Sequence, residues 1–170
     1  STSMLLAPSA DRDDSKRVLF TSVQNSQTTH CEHYTPMPLR TGYDRVIAHR
    51  SDALFAKTAR TDGVVDNITD KVITIKYKDG ETVSYELGIK HGVWAGHYIP
   101  HEIVTELKKG SKVKSGDVLL YNKKYFTRDT LDKNQVILKT GVLAHVAFME
   151  RTDTLEDSST ISQILADKLV

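Results

Sequence analysis

The alternation of apolar and polar residues is clearest between Val72 and Leu87. Ile73, Ile75 and Tyr77 lie on one face of a strand, and Val83, Tyr85 and Leu87 on one face of the next. Asp79-Gly80 marks the turn between them. A two-residue loop would set Ile75 against Ser84 and place apolar against polar. The three-residue loop Lys78-Asp79-Gly80 sets Ile75 opposite Val83 and Ile73 opposite Tyr85. That register keeps both apolar faces together and puts Gly80 in the left-handed position. Gly63-Val64-Val65, Val104 to Leu107, Val118 to Leu120 and a run from Val136 to Met149, broken at Gly141, extend the strand pattern. Gly88 to Pro100, holding Trp94 and three glycines, reads as a loop.

The period changes near the C-terminal end. After the apolar run Val146-Ala147-Phe148-Met149, apolar residues recur at Ile161, Ile164, Leu165 and Leu169, the spacing of one helical face. Asp157 or Ser158 stands where its N-cap belongs. Asp13 or Asp14 can likewise cap a short helix running through Arg17 to Gln24. The expected fold class is mainly β, with short helices near 14–24 and 158–169.

Composition narrows the picture only modestly. A chain of 170 residues, 39% apolar and 26% charged, is long enough to bury a real core. A net charge of +1 gives no electrostatic reason to read it as a free-standing nucleic-acid binder. The single cysteine, Cys31, excludes an internal disulfide framework and fits a reducing compartment. No apolar run is long enough to span a membrane as a helix, so an intracellular location is expected, with the virion as an alternative.

Three features can carry chemistry. Glu156 and Asp157 form a carboxylate pair at a strand-to-helix corner, able to cap the helix or to present charge to a metal or a basic partner. His30-Cys31-Glu32-His33 has the residue types of a metal cluster, but a structural zinc site needs two spaced ligand pairs, and no second cysteine exists. Between Lys108 and Arg128 there are seven basic residues and one acid, a solvated face or a contact to phosphates.

Several separated motifs resemble the beta subunit of multisubunit RNA polymerases, in that family's order. They are Asp13-Asp14-Ser15-Lys16-Arg17-Val18-Leu19 followed by Gln24 to Gln27; Gly42-Tyr43-Asp44-Arg45; Ala56-Lys57 followed by Gly63-Val64-Val65; Gly116-Asp117-Val118-Leu119; and Ala147-Phe148-Met149, a spacer and Glu156-Asp157-Ser158. The Gly-Asp-Val-Leu hairpin is also shared with biotinyl and lipoyl carriers. The spacer before Glu156 is one residue shorter than usual and lacks aromatic residues. The divergence looks like that of large-phage polymerases whose big subunits are split into separate chains, which would place the chain in a host cytoplasm.

The resemblance implies a tail (1–10), an active-centre-proximal segment (11–41), a barrel-sandwich hybrid-like region (42–135) and a strand and helix entering a double-psi β-barrel (136–170). It implies that Arg17 binds the phosphates of the incoming nucleoside triphosphate and that Gln27 contacts nucleic acid. Glu156 and Asp157 would serve the catalytic centre, with Asp157 reaching the second Mg2+ directly or through water, although a partner subunit would hold the magnesium in the main. The implied partners are the beta-prime-like subunit, the remaining beta part, DNA template, RNA and nucleoside triphosphates. Because the Asp-x-Asp-x-Asp metal loop belongs to another subunit, the chain alone should polymerise nothing. The alternatives from the residues are a non-catalytic assembly module, a carrier domain, and, for Arg17, an exposed helix with a salt-bridging arginine.

Overall fold

Strands carry the architecture of the computed structural model, which describes residues 2–27, 31–50, 55–94, 96–153, 155–156 and 158–170. A 3-10 turn (Thr2–Leu6), α1 (Ser15–Ser26) and α2 (Tyr43–Arg50) come first. They precede β1 (Ala56–Thr58), β2 (Gly63–Ile68), β3 (Val72–Tyr77), β4 (Thr82–Glu86), β5 (Gly88–Trp94) and β6 (His97–Val104). β7 (Lys112–Val113), β8 (Val118–Asn122), β9 (Phe126–Arg128), β10 (Val136–Leu138) and α3 (Gln163–Lys168) follow. The fold is therefore mainly β, and its strand pairs are antiparallel.

The β3–β4 hairpin has the expected register. Ile75 pairs with Val83 and Ile73 with Tyr85. The amide of Gly80 donates to the Tyr77 carbonyl at 3.1 Å, and Gly80 takes a φ of 88°, where a side chain would be strained. This hairpin belongs to a four-stranded sheet ordered β4-β3-β2-β7, while a second sheet is ordered β1-β8-β6-β5. Val65, Ile73, Ile75 and Tyr77 of the first sheet pack in one core with Ile103, Leu119 and Leu120 of the second. Each such side chain contributes about 1.5–3 kcal/mol by leaving water.

β8 explains the uninterrupted apolar run Val118 to Tyr121. Every residue of the strand is buried. Leu119 and Leu120 serve the core between the sheets, whereas Val118 and Tyr121 join Ala48, Ala56, Phe126 and Val136 in a second core that seats α2.

Four expectations are corrected. Residues Gly88 to Pro100 form most of the β5–β6 hairpin, with Gly88 opposite Ile103 and Trp94 opposite His97. The glycine there signals close packing: a Cβ on Gly92 would lie 2.9 Å from His101 Nε2. The segment Tyr43–Arg50 is helical because Asp44 Oδ1 accepts from the Gly42 amide at 3.1 Å and Ala48 is fully buried. Between Val136 and Met149 only β10 is a strand; beyond it one bridge, Thr35 to Gly141, is formed. An apolar run needs a neighbouring strand edge, and none of the described strands pairs with Val146 to Met149. Lastly, α3 starts at Gln163, capped by Ser162 Oγ, which accepts from the Leu165 amide at 3.2 Å. Ser158 instead donates to the Leu155 carbonyl at 2.6 Å, closing a turn rather than opening the helix.

Candidate functional site

Arg17 sits in the first turn of α1, and the local sequence determines how it is presented. Asp14 is the N-cap, its carboxylate accepting from the Lys16 amide at 3.0 Å. Val18 and Ser22, four residues apart, form the buried side of the helix. Ser26 Oγ lies 2.9 Å from Ser3 Oγ of the 3-10 turn, which ties the helix down. Arg17 is exposed, and among the described residues its guanidinium makes no ion pair. Gln27 ends the helix, its amide donating to the Val23 and Gln24 carbonyls while its side chain stays exposed.

Glu156 is exposed in a turn, and Asp157 lies outside the described residues. No hydrogen bond or ion pair among the described residues links Glu156 to Arg17. The chain segments that follow and precede them do meet. Thr35 N donates to the Gly141 carbonyl at 2.7 Å and Thr140 N to the Thr35 carbonyl at 3.0 Å. Cys31 Sγ donates to the Leu169 carbonyl at 3.1 Å. Pro36 to Leu39, Val142 to Ala144 and Val146 line an apolar groove of about 410 Å3. Of this segment, Leu143, Val146, Phe148 and Met149 are exposed at 73%, 73%, 98% and 72%.

Among the described residues no group of three or more His, Cys, Asp and Glu side chains is placed to hold a metal ion. His30 lies outside the described residues, and Cys31 is committed to Leu169. Glu156 on its own does not make a magnesium site.

Charge is organised elsewhere, at a place sequence reasoning missed. Asp129, 2% exposed, receives Arg45 at 2.7 Å and Arg40 at 3.4 Å, and Arg40 also reaches Asp44 at 3.4 Å. Burial by itself would raise the Asp129 pKa. The Leu131 amide, Arg45 and Arg40 outweigh it and hold the carboxyl below its ordinary value. The only signal in the sequence was Gly42-Tyr43-Asp44-Arg45, whose partner lies 84 residues from Arg45.

The chain matches no protein-family model and no curated protein. No helix among the described residues is long and apolar enough to cross a membrane.

Proposed function

We propose that this chain is part of the beta subunit of a DNA-dependent RNA polymerase, acting as a nucleotidyltransferase only when assembled with its partner subunits. One observation beyond the motif order supports this reading. The groups expected to face substrate, Arg17 and Glu156, are exposed and, among the described residues, not joined to each other, on a molecule that also exposes Val146, Phe148 and Met149. A self-sufficient enzyme would gather its polar groups in a cleft of its own. In this reading the two sheets correspond to a barrel-sandwich hybrid over roughly 42–135, and 136–170 enters a double-psi barrel that partner chain completes. The ligands of Mg2+ then belong mainly to the beta-prime-like subunit, with Asp157 approaching the ion directly or through water. Arg17 takes nucleoside triphosphate phosphates, for which a guanidinium supplies two parallel hydrogen bonds. Gln27 faces the DNA or RNA strand, and the location is intracellular, a host cytoplasm or virion if the source is viral.

A carrier domain is the weaker alternative. The lysine at the β3–β4 turn, Lys78, is ion-paired to Asp62 at 2.7 Å and flanked by Tyr77 and Asp79 rather than by methionine or small residues. The exposed apolar run also suits a non-catalytic assembly module, and the same experiment separates the two. The tagged chain is purified from its native source with its bound subunits and assayed for template-dependent nucleotide incorporation. Arg17→Ala is expected to raise the apparent nucleotide KM about tenfold or more while leaving subunit composition unchanged, for the loss of one charge-assisted contact of about 1.5–3 kcal/mol. Polymerase activity indifferent to Arg17→Ala would favour the assembly module, and a complex without polymerase activity would end the polymerase reading.

A further inference from the structure

The basic stretch between Lys108 and Arg128 divides in the folded chain, and one part of it closes a cavity. Lys123 and Lys124 occupy the turn between β8 and β9, and Lys139 follows β10 directly. Together with Cys31, Glu32 and Glu102 they line a cavity of about 450 Å3.

The turn that carries the first two lysines is held from inside. Asn122 is fully buried; its Oδ1 accepts from the Lys124 amide at 3.1 Å, and its Nδ2 lies 2.8 Å from His101 Nδ1. The Lys123 amide donates to the Glu102 carbonyl at 2.9 Å. The Lys139 amide donates to the Tyr125 carbonyl at 2.8 Å, which sets the third lysine beside the other two. Three ammonium groups are thus brought to one cavity by fixed backbone.

Their counter-charges do not use them up. Lys123 pairs with Glu102 at 2.5 Å. Lys124 and Lys139 make no ion pair among the described residues, and Lys139 is half-buried. Burial, with Lys123 and Lys124 adding to it, pushes the Lys139 pKa below its ordinary value even though Glu32 acts in the opposite sense. A half-buried ammonium beside two others costs free energy that an anion seated among them would offset.

We propose that this cavity is a phosphate-binding site. Lysine ammoniums act as compact point charges and suit a multiply charged tetrahedral anion better than a flat carboxylate, which a guanidinium fork would match. The phosphate can be that of a nucleic-acid strand or of a free polyphosphate; the chemistry is shared. The inference does not rest on the polymerase reading, because neither Arg17 nor the Glu156–Asp157 pair takes part.

The test uses the whole purified chain at low ionic strength with two probes, a fluorescein-labelled oligothymidylate followed by anisotropy and tripolyphosphate followed by calorimetry. Three lysines engaging a single strand should give a log–log salt slope of about −2, from about 0.7 per phosphate. The Lys123→Gln/Lys124→Gln/Lys139→Gln variant should lose binding at least tenfold. An equal loss of charge on the same basic stretch, Lys108→Gln/Lys109→Gln/Lys112→Gln, should change it less than twofold. Glu102→Gln, which frees Lys123, should tighten binding. Which probe binds identifies the source of the phosphate. A site independent of variant folding is read by 13C-methylated lysine NMR of the wild-type chain, where tripolyphosphate or the oligonucleotide should raise the Lys139 pKa. Binding of neither probe, equal binding by both triple variants, or an unmoved Lys139 resonance would overturn the proposal.

Discussion

Asp129→Asn gives the sharpest test of how α2 is fixed to the β9–β10 hairpin. The change keeps the shape and an acceptor for the Leu131 amide at 2.8 Å, but removes the charge that Arg40 and Arg45 share. Breaking a buried ion pair by removing one partner typically costs about 3–5 kcal/mol, because the other charge stays buried without compensation. Arg45 is 38% exposed in its side chain and has Asp132 at 3.8 Å, and Arg40 keeps Asp44 at 3.4 Å. Those remaining partners put the expected cost at the lower end, about 3 kcal/mol, a fall in Tm of about 6–12 °C for a chain this size. Asp129→Ala also strands the Leu131 amide and should cost about 1 kcal/mol more. The pH dependence has a defined sign. The folded pKa of Asp129 lies below its ordinary 3.8, so its stabilisation is complete above that value and is lost as pH falls through the folded pKa. Urea melts of wild type and Asp129→Asn across the acid range should therefore converge at the lowest pH. A loss below about 1 kcal/mol at neutral pH, or a gap independent of pH, would refute the argument that this carboxylate is a buried, fully ionised clamp.

Two further outcomes follow from single sites. Gly80→Ala should cost about 1–2 kcal/mol in a thermal melt, because its φ of 88° is strained for an L-residue while no atom lies within 4 Å of the added Cβ; Gly80→Asn should recover part of that. At alkaline pH, burial and the hydrogen bond to Glu106 push the Tyr121 phenol up from 10.0 to about 12, so the folded state retains a proton the unfolded chain has lost. Stability should fall as pH rises from 10.0 towards about 12, and Tyr121→Phe should remove part of that dependence in denaturant melts.

What was legible in the sequence was local. The β3–β4 register followed from period-two alternation and one glycine, since slipping by one residue would have turned Ile73, Ile75 and Tyr77 to water. A cap at Asp13 or Asp14 followed from the same short-range logic, and Asp14 is the one that serves. α2 was not legible, because its hold on the fold comes from Ala48 in the second core and from Asp129, far along the chain. Gly92 was misread as a loop residue for a related reason, since its need is set by the ring of His101 on the neighbouring strand. The lysine cavity was half visible as a basic run, yet Lys139 lies outside that run and the buried Asn122 that shapes the turn has no signature of its own. Of the candidate site, an exposed helix carrying Arg17 was readable, whereas the helix expected to open at Asp157 or Ser158 begins at Gln163 with Ser162 as its cap, and Ser158 closes a turn on Leu155.

The apolar run Val146 to Met149 allows one last discrimination, between a chain that packs this segment on itself and one that offers it to a partner. Phe148 is 98% exposed, so it contributes almost no buried area to the isolated fold. Phe148→Ser should therefore change the unfolding free energy of the purified chain by less than about 0.5 kcal/mol, the range of surface substitutions. In an assembly that covers the run, the same side chain would be worth about 1.5–3 kcal/mol, and its loss should weaken subunit association roughly ten- to hundredfold. Denaturant melts measure the first quantity, and surface-bound capture of the co-purified subunits by wild type and variant measures the second. If Phe148→Ser costs the isolated chain more than about 1 kcal/mol, the run packs on its own domain. If association is unchanged, the run is not an assembly surface, and the polymerase reading loses the observation that supports it beyond the order of its motifs.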